Sequence, residues 1–226
     1  MYIKKYGTFY IIIYIIYRLM NIKELVVETL KENKKLIIGL YALFIIVFIA
    51  TWIMMAPKVA NMPTNATAVS TLGPDSSALE LFIHNESSGL MTYIGSIFFG
   101  ILAIVMIIYN GYSIGMMGPL FAKILPHGGI MYILYLIPHG IFEITGTVLD
   151  STAGLLLFLF IWRFIKALRS SDTNGASDAF EKTKKTLIQS IVILVLAFCL
   201  TLIAAPIEAH LSTNIAQFFM HLLGLW

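Results

Sequence analysis

A histidine and a glutamate stand one helical turn apart in Pro138-His139-Gly140-Ile141-Phe142-Glu143, inside an otherwise apolar stretch. On a continuous helix, side chains four positions apart share a face. The pair can then exchange a proton, bind a cation or fasten one helix to another. In hydrocarbon such groups are costly, and an intramembrane acid is read first as functional. Only Lys123, His127 and His139 interrupt the run of uncharged residues between Glu86 and Glu143.

A second acid, Glu208, follows Pro206 near the end of the last apolar segment, and Asn110 precedes a glycine-punctuated stretch through Gly111, Gly115 and Gly118. If Glu143 and Glu208 both fall toward the outer ends of their helices, the two carboxylates approach each other or share His139 or His210. Pro138 is well placed at a first helical position, where its missing N–H is unpaired anyway. That permits a broken helix opening at the motif, and Gly140 admits close helix approach. The bland alternative makes Glu143 a fastener bonded to Asn110, His139 or a backbone carbonyl. A metal site from His139 and Glu143 with His127 or His210 is a minor reading. Imidazole and carboxylate suit zinc, but the spacing lacks the two histidines of His-Glu-x-x-His. No metal or other cofactor is therefore expected. No nucleophile elbow or phosphate-binding loop is present.

The elements that must position these groups are membrane helices. Of 226 residues, 59% are hydrophobic and 12% charged, and mean hydropathy is +0.88, far from the balance of a soluble domain. The single Cys199 excludes an internal disulfide, and its apolar neighbours mark it as a small core residue at lipid level. Basic residues are not interleaved with aromatics, which excludes nucleic acid as a partner.

Residues 6–17 form an uncharged run too short to span. They belong to an upstream extension or a misassigned start, with Met20 as the alternative initiator, or else to an interfacial helix. Residues 21–35 carry Ile22, Leu25, Val26 and Leu30 at helical spacing and predict an amphipathic surface helix. Residues 36–56 predict the first span, with Trp52 in an aromatic belt, and residues 60–77 a solvated loop. Ser77 caps a short helix over 78–85 resting on the bilayer. Asn65 and Asn85 stand in glycosylation triplets of little weight.

Residues 93–109 predict the second span, and Gly128-Gly129 a break. Residues 130–149 and 151–165 predict a third and a fourth span, turning either at Asp150 or at Pro138. Residues 170–185 predict a polar loop with an amphipathic end, and 186–207 the last span, kinked or ended by Pro206. The tail, 212–226, sets Ile215, Phe218, Phe219, Leu222 and Trp226 on one face, as an interfacial helix does.

The fold class expected is all-α, a polytopic bundle of about five spans with interfacial helices. With Lys123 counted inside, all basic residues but Lys58 lie on one side. The positive-inside rule then gives a cytoplasmic N-terminus and an extracytoplasmic C-terminus in the cell membrane. Gly111 and Gly115 form a small-x-x-x-small pattern suited to helix packing, and a homo-oligomer is possible on the same ground.

Ile137-Pro138-His139-Gly140-Ile141-Phe142-Glu143 resembles the signature of the stage II sporulation protein M family of bacterial and archaeal polytopic membrane proteins. Asn110-Gly111 with Gly115 resembles the family's preceding segment, and residues 204–209, with Glu208, the acidic end of its last helix. The likeness covers residues 20–211. After Glu143 this chain departs from the more apolar, alanine-rich continuation with Ile144-Thr145-Gly146-Thr147 and Asp150. The resemblance implies a non-enzymatic scaffold or assembly component that works with protein partners in the lipid bilayer. Bacterial members act in engulfment, in a complex that holds cell-wall hydrolases, and the hydrolysis belongs to those partners. The expectation from a different class is a small transporter or channel whose broken helix and carboxylates Glu143 and Glu208 line a path. An intramembrane metal-dependent hydrolase stands third.

Overall fold

A computed structural model describes residues 21–62 and 77–225 with their side chains. The expectations for residues 6–17, for most of the 60–77 loop and for Asn65 lie outside the described residues. The described chain is an all-helical bundle: α1 (Tyr2–Ala60), α2 (Ala78–Gly95), α3 (Ile101–Ile124), α4 (Gly128–Leu168), α5 (Ala176–Ile207), a π-helical turn (Glu208–Ser212) and α6 (Thr213–Leu222). Four stretches, in α1, α3, α4 and the run from α5 to α6, are long and apolar enough to cross a membrane.

Helix α4 is the centre of the bundle, in contact with every other element. Its 41 residues make a rod of about 60 Å at 1.5 Å per residue. It therefore absorbs the expected third and fourth spans, and the chain turns at neither Pro138 nor Asp150. The helix runs on through Pro138, as proline is tolerated in membrane helices whose freed carbonyl finds other partners. Asp150 follows Leu149 into the interior and is 6% exposed.

Two apolar clusters hold α4. Leu149, Ala153 and Leu156 pack against Ile193 and Ala197 of α5. Val148 meets Leu40 and Phe44 of α1 and Ile107 of α3. Small residues set the spacing between α1 and α3. A Cβ added to Gly111 would lie 3.0 Å from the Phe44 carbonyl oxygen, and one on Gly115 2.6 Å from that of Phe48. Gly118 lies against the Trp52 ring. Trp52 is thus half-buried, 5.9 Å from Tyr132 between ring centroids. This register, ascending on both helices, makes α1 and α3 parallel.

The parallel arrangement relocates Lys123. Its ammonium donates to the carbonyl oxygens of Val59 (2.7 Å) and Met62 at the end of α1, where the last carbonyls of a helix favour a cation. Lys123 therefore shares the end of the bundle that carries Lys58, opposite to the side expected. The cause is a reversal inside the expected second span. Residues 96–100 fold the chain back with Phe99 (φ 61) and Gly100 (φ 66) in the left-handed region. A Cβ on Gly100 would come 2.7 Å from Leu155. The reversal satisfies its own backbone, with the Gly100 N–H donating to Ser96 O at 2.8 Å and the Ser96 hydroxyl to Thr92 O at 2.6 Å. Internal satisfaction is what lets irregular backbone sit beside apolar surroundings. Phe98 and Phe99 there are 74% and 71% exposed.

Other expectations change in detail. Ser77 caps α2 as read, in a full capping box with Glu80. The Ser77 N–H and hydroxyl hold the Glu80 carboxyl below its usual range. The helix runs past Asn85 to Gly95 and buries Glu86, so it enters the bundle instead of resting on its surface. Residues 21–35 continue without a break into the first span, and Lys185 pins them through Glu28 (2.9 Å) and Glu32 (2.7 Å). Cys199 is exposed on the outside of the bundle. Pro206 ends nothing: the helix passes through one π-helical turn into α6. There Ala216 and Met220 are buried while Phe218 and Leu222 stay exposed.

Gly115→Val tests the α1–α3 contact. Overpacking against the Phe48 carbonyl should cost about 1–3 kcal/mol and lower the midpoint of thermal unfolding in detergent. Gly39→Ala, where nothing lies within 4 Å, should leave that midpoint unchanged or slightly raised.

Candidate functional site

The unbroken α4 carries Tyr135, His139, Glu143, Thr147 and Asp150 at spacings of three or four, so they fall on one face. Across from them the π-helical turn brings Glu208 and Ser212 inward, and α2 brings Asn85 and Glu86. A π turn adds a residue to the ring and shifts the face that follows, a common device at functional sites.

His139, 3% exposed, is the best-fixed member. Its Nδ1 lies 2.8 Å from Ser212 Oγ, and the Tyr135 ring stands edge-on at 5.1 Å. Its Nε2 faces Glu143 Oε2 at 3.8 Å, too long for a hydrogen bond. Glu208 completes the group: one ligand atom each from His139, Glu143 and Glu208 lies within 4.8 Å of the others. Tyr135 donates its hydroxyl to Glu208 Oε1 at 3.4 Å, and Asn85 faces Glu143.

Beneath Glu143 a small polar cavity of about 30 Å³ is lined by Asn85, Gly89, Asn110, Glu143, Thr147, Asp150 and Thr201. A volume of that order holds one water. Gly89 lies directly against the Asp150 carboxyl. Glu86 faces Asp150 and Thr201, and its Oε1 is buried with no hydrogen-bond partner.

Of the residues singled out from sequence, the structure therefore joins His139, Glu143 and Glu208. Asn110 lines the adjoining cavity and spends its amide on Met106 O at 2.9 Å. Pro138 and Gly140 take no part in the cluster. Gly140 lies against Leu136 and Ile144 and lines an apolar groove on the other side of α4. His210 is exposed, and Glu208 takes the place offered to His127 or His210 in a metal set.

Sequence reasoning missed Tyr135, Ser212, Asn85, Glu86 and Asp150. One signal was available, since Asp150 stands seven residues, two turns, after Glu143 and so shares its face. Nothing local in the sequence marked Glu86 or Ser212, which depend on how α2 and the π turn dock.

An all-helical bundle with long apolar helices and a histidine–carboxylate cluster between them defines a helical membrane protein. The family described as stage II sporulation protein M matches residues 40–213, and the chain belongs to that family. No curated protein and no solved structure matches it.

The contact between His139 and Ser212 can be weighed directly. Polar contacts between membrane helices are worth about 0.6 kcal/mol on average and up to about 1.7. A double-mutant cycle of His139→Ala with Ser212→Ala, read by unfolding in detergent, should return a coupling in that range. A coupling of zero would show that the two side chains do not meet.

Proposed function

We propose that this chain is a non-enzymatic scaffold, an assembly component of a membrane complex. Its place in the stage II sporulation protein M family supports a sporulation-related membrane role, which by resemblance to bacterial relatives would be in engulfment and cell-wall remodelling. What carries the reading is the contrast between interior and exterior. The polar cavity beside Glu143 is small, about 30 Å³. The outer face holds an apolar groove of about 420 Å³ between α1 and α4. Phe44 and Phe48 of α1 and Leu136 and Ile144 of α4 wall it, and Gly140 lies between them. Tyr41 closes one end by donating to the Thr145 hydroxyl. A groove of apolar side chains with a glycine in its floor suits a partner's transmembrane helix, because small residues let backbones approach.

In this reading α1, α4 and α5 cross the membrane. The α2–α3 hairpin dips in from the outer side and returns to it. Arg163, Lys166, Arg169 and Lys182, Lys184 and Lys185 then lie in the cytoplasm with the basic residues before α1, and only Lys58 and Lys123 lie outside. With two external lysines in place of one, this orientation still follows the positive-inside rule.

Single cysteines on a Cys199→Ser background test it. Cysteine at Met62 should react with an impermeant reagent in intact cells and cysteine at Ser171 only after lysis; the opposite pattern inverts the topology. For the groove, a photo-crosslinking residue at Ile45 or Ile137 in native membranes should give a discrete protein adduct that Gly140→Leu abolishes. Adducts to lipid alone, together with Glu143-dependent ion flux in proteoliposomes, would replace the scaffold with the transporter.

A further inference from the structure

The contacts of His139 admit a tautomer that presents Nε2 to the neighbouring acids. Ser212 Oγ lies within reach of both the Ile207 carbonyl oxygen, at 3.2 Å, and His139 Nδ1, at 2.8 Å. With the hydroxyl hydrogen on Ile207, Ser212 accepts from Nδ1–H, and in the neutral ring Nε2 is left as a bare lone pair. Nε2 lies 3.8 Å from Glu143 Oε2, and one carboxylate oxygen of Glu208 lies within 4.8 Å of the other ligand atoms. In that tautomer acceptors converge on acceptors, with the His139 side chain 96% buried.

A proton shared between Nε2 and Glu143 does not resolve this, because 3.8 Å is beyond hydrogen-bond reach. An ion bonded at about 2.1 Å to each of two atoms can bridge up to about 4.2 Å, and a tetrahedral ion holds its ligand atoms about 3.4 Å apart. The three atoms lie within 4.8 Å of one another, close to that spacing. A histidine whose Nδ1–H is held by an outer partner, presenting Nε2, is the arrangement metal-bound imidazoles use. Tyr135 orients Glu208 in the same supporting way.

We propose that His139 Nε2, Glu143 and Glu208 bind a divalent transition-metal ion of the zinc class, with Ser212 and Tyr135 as positioning residues. One neutral imidazole and two carboxylates suit such an ion. Two negative charges and one doubly positive ion sum to zero, which removes the cost of unpaired carboxylates beside hydrocarbon. Glu143 is 24% exposed, which leaves a route of entry. The ion ties α4 to the π turn that follows α5. This site goes beyond the scaffold reading and stands without it.

The test uses the full chain, free of any affinity tag, in detergent, with Zn²⁺ alone as the probe. Competition with a chromophoric chelator should give one ion per chain. Glu143→Gln and Glu208→Gln should each weaken binding about 100-fold, and Ser212→Ala about 10- to 100-fold, as loss of an outer partner does. Glu32→Gln, at the far end of the bundle, should change nothing. Should the cluster variants fail to fold, zinc X-ray absorption on the wild-type protein decides, with one imidazole and otherwise oxygen donors expected. Absence of binding by the wild type, binding unchanged in Glu143→Gln and Glu208→Gln, or a shell with sulfur or several imidazoles would overturn the site.

Discussion

Ionisable side chains inside an apolar bundle must find partners within the protein, since lipid supplies none. This constraint shapes α4 and everything packed on it. His139, Glu143 and Asp150 share a face only while the helix is unbroken, and any turn at Pro138 or Asp150 would scatter them. Continuity of α4 is therefore the condition for the cluster. Two features satisfy that condition: the hydrophobic seams that clamp the helix on either side, and its direct contact with every other element.

The neighbours close on that face through small residues. Gly89 brings α2 against Asp150, a Cβ on Gly146 would lie 3.0 Å from the Thr201 hydroxyl oxygen of α5, and Gly154 receives Ser96. Each replaces a side chain with backbone proximity. The polar groups of α2 and α5 then reach the acids of α4. The same economy of volume on the opposite side, at Gly111, Gly115 and Gly118, locks α1 to α3. Gly140 differs from these. It is buried, and the atoms nearest to a Cβ built there belong to Leu136 and Ile144 of its own helix.

How much of this was legible in the sequence follows from how local each cause is. The Ser77 cap and the packing glycines at 111 and 115 are written in short stretches, and they are found where they were read. The His139–Glu143 pair was visible as spacing. The path of the chain was not. Pro138 and Asp150 look like breakers because proline and acid usually end membrane helices. Here the bundle supplies Glu86, Thr201 and Asn110 around the cavity beside Asp150, and those partners come from three other helices. The reversal at residues 96–100 was equally hidden. Its residues are apolar and only Gly100 hints at it, so a continuous span was the natural reading. Misplacing that turn moved Lys123 to the wrong end.

The displaced lysine has a local cause. Lys123 lies where the carbonyls of Val59 and Met62 end α1, and a cation there is held by backbone oxygens that have no helical partner of their own. It is a cap, and caps are recruited by local geometry. At the other end the basic side chains have mixed partners: Lys185 meets Glu28 and Glu32, Lys182 meets Asp178 and the Asp172 carbonyl oxygen, and Arg163 the Thr186 hydroxyl. A charge bias that rests on many residues tolerates one that is placed for another reason. The two ends of the bundle thus carry different physics: solvated ion pairs joining α5 to α1 at one, and at the other a desolvated imidazole and carboxylates that α4 must keep in line. Rigidity is needed only at the second end. It is there that the chain uses a continuous proline-containing helix, a π turn and a histidine fixed on both sides, at Nδ1 by Ser212 and at its ring face by Tyr135.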